Sequence, residues 1–184
     1  AQESRGLGDV YKRQVYKKED AFYADPKTGK ELDRTGKFFI DPAYGKRLKT
    51  SVNADITEVE ENTRAAKALL DSFQKMSIRI NEHVLEEGRK NPEYTVNGKT
   101  ADRKGIESEQ GITSGFKKAI KQGCEIVIID LDAHLKEKTL KVRDLSRHIY
   151  WRKTDFEKGI IQSCYVIYRG RAVVVRKADM GRDK

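Results

Sequence analysis

Apolar residues recur from residue 54 onward with spacings that change between those of helices and those of strands. Over residues 54–74 they return every three or four positions, which predicts a helix with one apolar face that Asp55 or Thr57 caps. The stripe comprises Val59, Asn62, Ala66, Leu69, Leu70 and Phe73. The alternation in "MSIRIN" then predicts a strand. In "YTVNGKTAD" the pair Asn97-Gly98 predicts a tight turn between two antiparallel strands.

The second half of the chain repeats this change of period. "GITSGFKKAIKQG" predicts a helix over 112–122, and "EIVIIDL" predicts a strand buried on both faces. "KTLKVRDLSRHIYWRK" predicts a further helix, and "IIQSCYVIYRGRAVVVRK" predicts a hairpin that turns at Arg169-Gly170. We therefore expect one α+β domain over residues 54–178, in which an N-terminal helix and flanking helices pack on a small mixed or antiparallel sheet. Residues 179–184 are expected to form a disordered tail.

Residues 1–53 have a different character. "DPKTGK", "LDRTGK" and "DPAYGKRLK" combine Asp, Gly, Lys and Pro as turns and linkers do, and "KFFI" is an isolated apolar island. We expect an extended or loosely packed linker here. The opening "ESRGLGDVYKRQ" resembles translated sequencing-adapter read-through in metagenomic gene predictions. Residues 1–14 are therefore set aside, and we expect the true start of the gene to be missing.

Composition narrows the class of partner. The chain of 184 residues is 37% hydrophobic and 36% charged, with a formal net charge of +9. Such a surplus favours an anionic partner, most often nucleic acid, although a basic protein without a polyanion partner has the same composition. No stretch approaches the apolar length of a membrane span, so we expect no membrane partner. Cys124 and Cys164 lie beside apolar runs and predict buried reduced thiols, not a zinc site.

The first hairpin carries the most suggestive chemistry. Glu93 precedes one strand, and Asp102 and Lys104 lie two residues apart on the next, so the last two share a face of the sheet. The two carboxylates could hold Mg²⁺ for phosphodiester cleavage beside the lysine. Alternatively the lysine alone stabilises the pentacovalent phosphate while the RNA 2′-hydroxyl attacks, with no cofactor. The structural interpretation is an exposed strand end whose charges pair with each other.

Other residues offer phosphate contacts or a proton. Lys117 and Lys121 lie one turn apart on the second helix, where Lys121 can bind phosphate or cap the helix end. Acidic residues Asp130 and Asp132 close the buried strand, where sites and turns both place them. His83 follows the first strand and could shuttle a proton. A surface or packing role is the structural interpretation of each histidine.

The third helix mixes basic and aromatic residues. Arg147, His148 and Arg152 lie there beside Tyr150 and Trp151. Guanidinium groups bind phosphates and aromatic rings stack on unpaired bases, which makes this helix a candidate nucleic-acid surface. A solvated face with two partly buried rings fits the same pattern.

The order of these segments resembles a known group of nucleases. "EENTRAAKALLDSF", "RINEHV", "NPEYTVNGKTADRK", "FKKAIKQGCEIVIIDLD" and "CYVIYRGRAVVV" resemble the C-terminal nuclease domain of phage Mu-type minor head proteins and polymorphic toxins over about residues 56–177. That group includes the tRNase domains of contact-dependent inhibition toxins and is assigned to the barnase/EndoU/colicin/RelE-like fold. Members show P-D-x-x-I-N-G-x-x-x-E/D-x-K and a later K-Q. Here Pro92-Glu93, Asp102-x-Lys104 and Lys121-Gln122 stand at those places.

The resemblance implies a metal-independent endoribonuclease of toxin type, with tRNA as substrate and no cofactor. Lys104 and Lys121 would stabilise the transition state, His83 or Asp102 would act as general base or acid, and Gln122 would orient the scissile phosphate. An immunity protein and phage head proteins are the implied protein partners. The implied location is the cytoplasm of a host bacterium or the virion.

Two other interpretations stay open. Pro92-Glu93 with Asp102-x-Lys104 also satisfies the motif of the PD-(D/E)xK nucleases, which implies a Mg²⁺-dependent DNase with Glu93 and Asp102 as metal ligands. The later helices carry lysine and arginine instead of further acids, which favours the ribonuclease. The third possibility is a catalytically silent module that binds nucleic acid or a capsid.

Overall fold

The computed structural model describes residues 30–134 and 142–181 of the chain. In this part of the chain, nine strands form one sheet and follow one another in chain order from edge to edge. They are β1 (Glu31–Leu32), β2 (Phe38–Asp41), β3 (Gly45–Ser51), β4 (Ile78–Ile80), β5 (Tyr94–Val96), β6 (Lys99–Gly105), β7 (Ile126–Asp130), β8 (Ser163–Tyr168) and β9 (Arg171–Arg176).

The sheet is mixed. β3 pairs with β4 in parallel, and β7 is parallel to both of its neighbours, β6 and β8. The remaining pairs are antiparallel. The α+β class and the mixed sheet are thus confirmed, while the sheet is larger than expected because the N-terminal segment contributes three strands to it.

Four α-helices accompany the sheet in the described residues. They are α1 (Val59–Ser72), α2 (Glu109–Lys121), α3 (Val142–Tyr150) and α4 (Lys153–Glu157). Short 3₁₀ turns occupy Asp132–His134 and Lys177–Gly181. Among the described helices, none combines the length and the apolar character needed to cross a bilayer.

Two cores form, one on each face of the sheet. Apolar residues of α1 pack with the inward side chains of β3 to β8, including Leu48 and Ile128. On the other face α2, α3 and α4 cover β7 and β8, where Phe116 and Phe156 lie with ring centroids 6.0 Å apart. β7 is buried along its whole length because helices cover both of its faces, as its continuous apolar run predicted.

Both predicted turns have the backbone that their residues favour. Asn97 and Gly98 have φ angles of 48° and 84°, and Arg169 and Gly170 have φ angles of 50° and 70°. Positive φ at both central positions matches the twist of the flanking strands. The first helix starts later than expected, since Glu58 occupies its N-cap without a side-chain cap. Asp55 instead accepts hydrogen bonds from Thr57 within the preceding turn.

The N-terminal segment differs from the expected linker. Residues 31–51 form β1 to β3, and β3 pairs with β4 in the register Leu48↔Ile78 to Thr50↔Ile80. Few apolar residues are enough to hold these strands in the sheet, because Phe39 of "KFFI" packs with Leu32 and Leu48 joins the main core. Residues 1–14 lie outside the described residues.

The expected disordered tail also needs correction. The 3₁₀ turn Lys177–Gly181 extends into the segment 179–184, contacts α4 and β9, and buries Met180 in the second core. An apolar side chain that loses its contact with water stabilises such a short turn. Residues 182–184 lie outside the described part of the chain.

Leu48→Ala should lower the free energy of unfolding by about 2–5 kcal/mol, because it leaves a cavity at a fully buried site. Chemical denaturation monitored by circular dichroism measures this loss. Lys46→Ala, on the same strand but exposed, is the matched control and should change stability by less than about 0.5 kcal/mol. Equal, small effects for both variants would mean that the N-terminal strands contribute nothing to the fold.

Candidate active site

Strand β6 presents its side chains alternately to the two faces of the sheet. Ala101 packs in the core beneath α1, and Arg103 donates from Nε to Asn62 Oδ1 on that helix over 2.8 Å. Asp102 and Lys104 therefore lie on the opposite face, beside α2. Both are half-buried, so the charged end of the strand meets a helix as well as solvent.

The stem of Lys104 lies directly against α2. A methyl group at Gly115 would come within 3.2 Å of both Cβ and Cγ of Lys104. The missing side chain of Gly115 thus lets the helix approach the lysine closely. With the other residues of 30–134 and 142–181, the Lys104 ammonium forms no hydrogen bond or ion pair. It is available to an anion.

The carboxyl groups of Glu93 and Asp102 lie side by side where β5 meets β6. Glu93 Oε2 accepts a hydrogen bond from the backbone N–H of Arg103 over 3.0 Å, and the Asp102 carboxylate accepts one from the backbone N–H of Glu93. Burial, and then the charge of Asp102, raises the pKa of Glu93 to about 8. Burial also raises the pKa of Asp102. Near neutral pH the pair retains a proton that exposed carboxyl groups have lost.

Two further charged groups act on this pair. The Glu58 carboxyl at the start of α1 hydrogen-bonds to Glu93 and contributes to the raised pKa of Glu93. On α2, the Lys118 ammonium favours the ionised form of Asp102 and partly offsets the effect of burial on its pKa. Three carboxyl groups and the Lys118 ammonium therefore converge at this end of β6.

A buried ion network fixes the backbone behind the pair. Asp130, at the end of β7, is fully inaccessible to solvent and binds Arg103 Nη1 over 3.0 Å as well as the guanidinium of Arg64 on α1. Its other oxygen accepts from the backbone N–H of Asp132 over 3.0 Å. Because the backbone of Arg103 also donates to Glu93, this network positions the carboxyl pair.

Gln122 and Lys121 lie towards the other end of α2. Gln122 Oε1 accepts a hydrogen bond from the backbone N–H of Asn91 over 2.9 Å, so it anchors the loop that leads into Glu93. Lys121 is exposed and lies six residues beyond Gly115, which is about 9 Å along the helix. The structure thus places Lys118, not Lys121, as the helix lysine beside the carboxyl pair.

His83 lies on the loop after β4. Its side chain is exposed, and its backbone N–H donates to the carbonyl of Asn53 over 2.9 Å. Its charge acts on Asp55, where it contributes to lowering that pKa after the larger effect of the Thr57 hydrogen bond. The structure therefore brings His83 near Asp55 in the turn before α1.

The nucleic-acid-binding residues predicted in and after α3 divide into two groups. Arg147 is exposed, pairs with Asp144 over 3.2 Å and lies 5.6 Å from the centre of the Trp151 ring. Trp151 is 60% exposed, and the His148 ring is 4.3 Å from it. These groups form a basic, aromatic surface.

Arg152, by contrast, turns towards the core. It pairs with Asp155 over 2.6 Å and lies 5.8 Å from the centre of the Phe116 ring. Its guanidinium is already engaged within the fold. Lys117 is exposed on α2.

The site includes residues that the sequence reasoning missed. Glu58 precedes the helix before the hairpin in the chain and Lys118 lies on the helix after it, so no local spacing in the sequence links either residue to Glu93 or Asp102. Gly115 did leave a signal, because it lies between Ile112 and Ala119 on the apolar face of its helix. A glycine at such a position indicates a close backbone approach.

Within the described residues no group of three or more His, Cys, Asp or Glu side chains is arranged to hold a metal ion. Glu93 and Asp102 remain the carboxylates available to Mg²⁺, which commonly binds one or two carboxylates and completes its shell with water and substrate phosphates. Comparison of the chain with protein-family models, with curated proteins and with solved structures finds no match.

Asp130→Asn should lower the free energy of unfolding by about 3–5 kcal/mol, because it leaves the guanidinium of Arg103, itself only 10% exposed, without its charged partner. Denaturant titration measures the change. Glu86→Gln breaks the exposed pair with Arg89 and should cost less than about 1 kcal/mol. A loss for Asp130→Asn no larger than this control would contradict the role given to the network.

Stability should fall as pH rises from about 5 to about 8.5. The folded chain holds the Glu93 proton up to a pKa of about 8, whereas the unfolded chain releases it near the ordinary value of 4.5, so folding becomes less favourable in this window. Glu93→Gln should flatten the decline and stabilise the protein most at the alkaline end. Thermal melts across this range measure it. The exposed Glu60→Gln variant should keep the parent's decline, and a Glu93→Gln profile parallel to that control would refute the assignment.

Proposed function

We propose that this protein is a phosphodiester-cleaving nuclease that acts on RNA, with Glu93, Asp102 and Lys104 as its centre. The observation that carries the proposal is that Lys104, whose ammonium has no partner among the described residues, lies two residues from half-buried Asp102 on one face of β6, and Asp102 adjoins half-buried Glu93. Structural charges normally pair or face water. Lys104 has no carboxylate partner among the described residues. Its aliphatic stem packs under Gly115 of α2, so the side chain is only partly in solvent.

The chemistry of a metal-independent cleavage follows from these groups. The ionised Asp102 takes the proton of the RNA 2′-hydroxyl, whose oxygen attacks the adjacent phosphorus. Lys104 stabilises the charge that develops on the phosphate oxygens, and Lys118 adds to the positive field. Protonated Glu93 donates its proton to the departing 5′-oxygen. The products are a 2′,3′-cyclic phosphate and a 5′-hydroxyl, and one proton has passed through the carboxyl pair.

This scheme changes two of the expected roles. Glu93 acts as the general acid, because its carboxyl group lies beside that of Asp102 where β5 meets β6. His83, the expected alternative, lies on the loop after β4. Gln122 acts on the site through the Asn91 loop, as a positioning residue. Lys121 and the exposed Lys117 bind more distant phosphates of the substrate, and Arg147 with His148 and Trp151 forms a further RNA contact.

The finer assignments rest on the sequence resemblance. They are the barnase/EndoU/colicin/RelE-like fold, a toxin role, tRNA as substrate, and an immunity protein or phage head proteins as partners. The net charge of +9 supports a polyanionic substrate but no particular RNA.

A second candidate is a Mg²⁺-dependent nuclease of PD-(D/E)xK type. The observation that favours it is the adjacency of the Glu93 and Asp102 carboxyl groups, because Mg²⁺ commonly binds one or two carboxylates and completes its shell with water and substrate phosphates. Mg²⁺ bound there would supply Lewis-acid stabilisation of the phosphate. Lys104 would then steady the attacking water.

The purified chain should cleave tRNA in the presence of EDTA, and Lys104→Ala should lower the rate by about 10²–10³-fold because the developing charge loses its stabilising ammonium. Gel analysis of a labelled tRNA measures the rate. Lys75→Ala removes an exposed lysine elsewhere on the chain and should leave the rate unchanged.

Three outcomes separate the candidates. Cleavage that EDTA abolishes and Mg²⁺ restores would select the PD-(D/E)xK alternative, most clearly with DNA as substrate. RNA that is bound with steep salt dependence but stays intact for hours would identify a catalytically silent module. Cleavage at the parent rate by Lys104→Ala would exclude the centre proposed here.

A further inference from the structure

A cleft of about 600 Å³ opens beside β4 and β5, between the N-terminal strands and the loop over residues 81–92. Arg79 and Thr95 line it, and their neighbours Ile78, Ile80 and Val96 point into the core beneath α1. The cleft therefore lies on the face opposite α1. This is also the face on which Asp102 and Lys104 lie.

The lining of the cleft is strongly basic. It contains four cations, Lys37, Arg79, Arg89 and Lys90, and one carboxylate, Glu82. Arg89 pairs with Glu86 over 3.1 Å. The other three cations form no ion pair with any described residue, so their charge is uncompensated within this part of the chain.

An aromatic ring and a guanidinium lie together in the cleft. The Arg79 guanidinium is 5.1 Å from the centre of the Phe38 ring, and both residues line the cavity. Aromatic rings and guanidinium planes are the surfaces on which unpaired bases stack. A duplex would keep its bases stacked on each other and could not use this pair.

A polar acceptor adds a second indication of a ligand. Asn53 Oδ1 is buried and has no hydrogen-bond partner among the described residues, although Asn53 belongs to the cleft lining. Buried acceptors normally find a donor. The exocyclic amine or ring N–H of a base is a donor of the required kind.

The cleft leads into the carboxyl pair. Its wall includes Asn91 and Pro92, and the next residue is Glu93. Arg79 on β4 is level with Thr100 on β6, and Asp102 lies two residues further along β6, so Arg79 and Asp102 are about 12 Å apart. A single strand that occupies the cleft can therefore continue to Lys104 on the same face of the sheet.

The geometry points to this cleft as the binding site for an unpaired RNA segment adjacent to the cleaved phosphate. Phe38 stacks on a base, Arg79 beside that ring binds a flanking phosphate as Lys37 and Lys90 do, and Asn53 accepts from a base. The assignment of the neighbouring phosphate as the cleaved one rests on the proposed function, whereas binding of the strand does not. The substrate class is thus RNA with an exposed loop or tail, not a continuous duplex.

The test measures binding without cleavage. A labelled single-stranded RNA of about twelve nucleotides with 2′-O-methyl groups cannot supply the attacking hydroxyl and lies within the site sizes of single-strand binders. Fluorescence anisotropy over a range of KCl concentrations gives Kd for the full chain. Arg79→Gln should weaken binding and reduce the slope of log Kd against log[KCl] by about 0.7, the value for one phosphate contact on a single strand.

Phe38→Ala should weaken binding about fivefold or more with an unchanged salt slope, because it removes stacking and no charge. Arg171→Gln is the matched control, since it removes one exposed cation on β9, five strands from β4. It should bind within about twofold of the parent. Circular dichroism melts verify that each variant is folded.

Two results would overturn the inference. One is that Arg79→Gln and Phe38→Ala both bind the RNA as tightly as Arg171→Gln. The other is that a duplex RNA binds as tightly as the single strand while Phe38→Ala has no effect on either, which would define a general polyanion surface.

The cleft and the catalytic centre can fail separately. If Lys104→Ala and the parent both bind through the cleft but neither cleaves tRNA, the proposed function is wrong and the cleft assignment stands. If the parent cleaves tRNA while the cleft variants bind normally, the cleft assignment alone is wrong.

Discussion

The buried carboxylate of Asp130 is the constraint on which the rest of the structure depends. It lies at the end of the most buried strand and binds guanidinium groups from a helix and from the neighbouring strand, Arg64 and Arg103. An isolated charge there would be prohibitively costly, so the helix and the two strands must meet in one arrangement. Since Arg103 also donates through its backbone to Glu93, the same arrangement fixes where the carboxyl pair lies. The structural ion network and the candidate centre thus lie on opposite faces of the same strand, β6.

The N-terminal strands complete this organisation. β3 satisfies the edge of β4, which would otherwise present unpaired backbone groups beside the candidate centre. Arg47 of β3 donates to the carbonyls of Leu70, Phe73 and Met76, and so closes the C-terminal end of α1. The N-terminal strands therefore stabilise the sheet and α1, and they also form one wall of the basic cleft. Its polar composition reflects a solvated outer face, not an absence of structure.

Local signals in the sequence predicted the elements well. Asn97-Gly98 and Arg169-Gly170 favour the backbone conformation of the turns that they form. The continuous apolar run of β7 is stable only where both faces of the strand are buried. Contacts between distant residues were not readable in this way. The pairing of Leu48 with Ile78 and that of Arg64 with Asp130, 66 positions away, depend on how the helix α1 packs. For the same reason Asp102 and Lys104 could be placed on one face from the strand period, while Glu58 and Lys118 could not be found.

Trp151, the only tryptophan of the chain, directly follows the last residue of α3, and its indole is mostly in water. The indole lies against the ring of His148 and the guanidinium of Arg147 and outside both apolar cores. Its emission consequently reports on the surface of this one helix. Spectra recorded during denaturation would follow the release of that surface, while far-ultraviolet circular dichroism or amide exchange would follow the cooperative loss of the sheet.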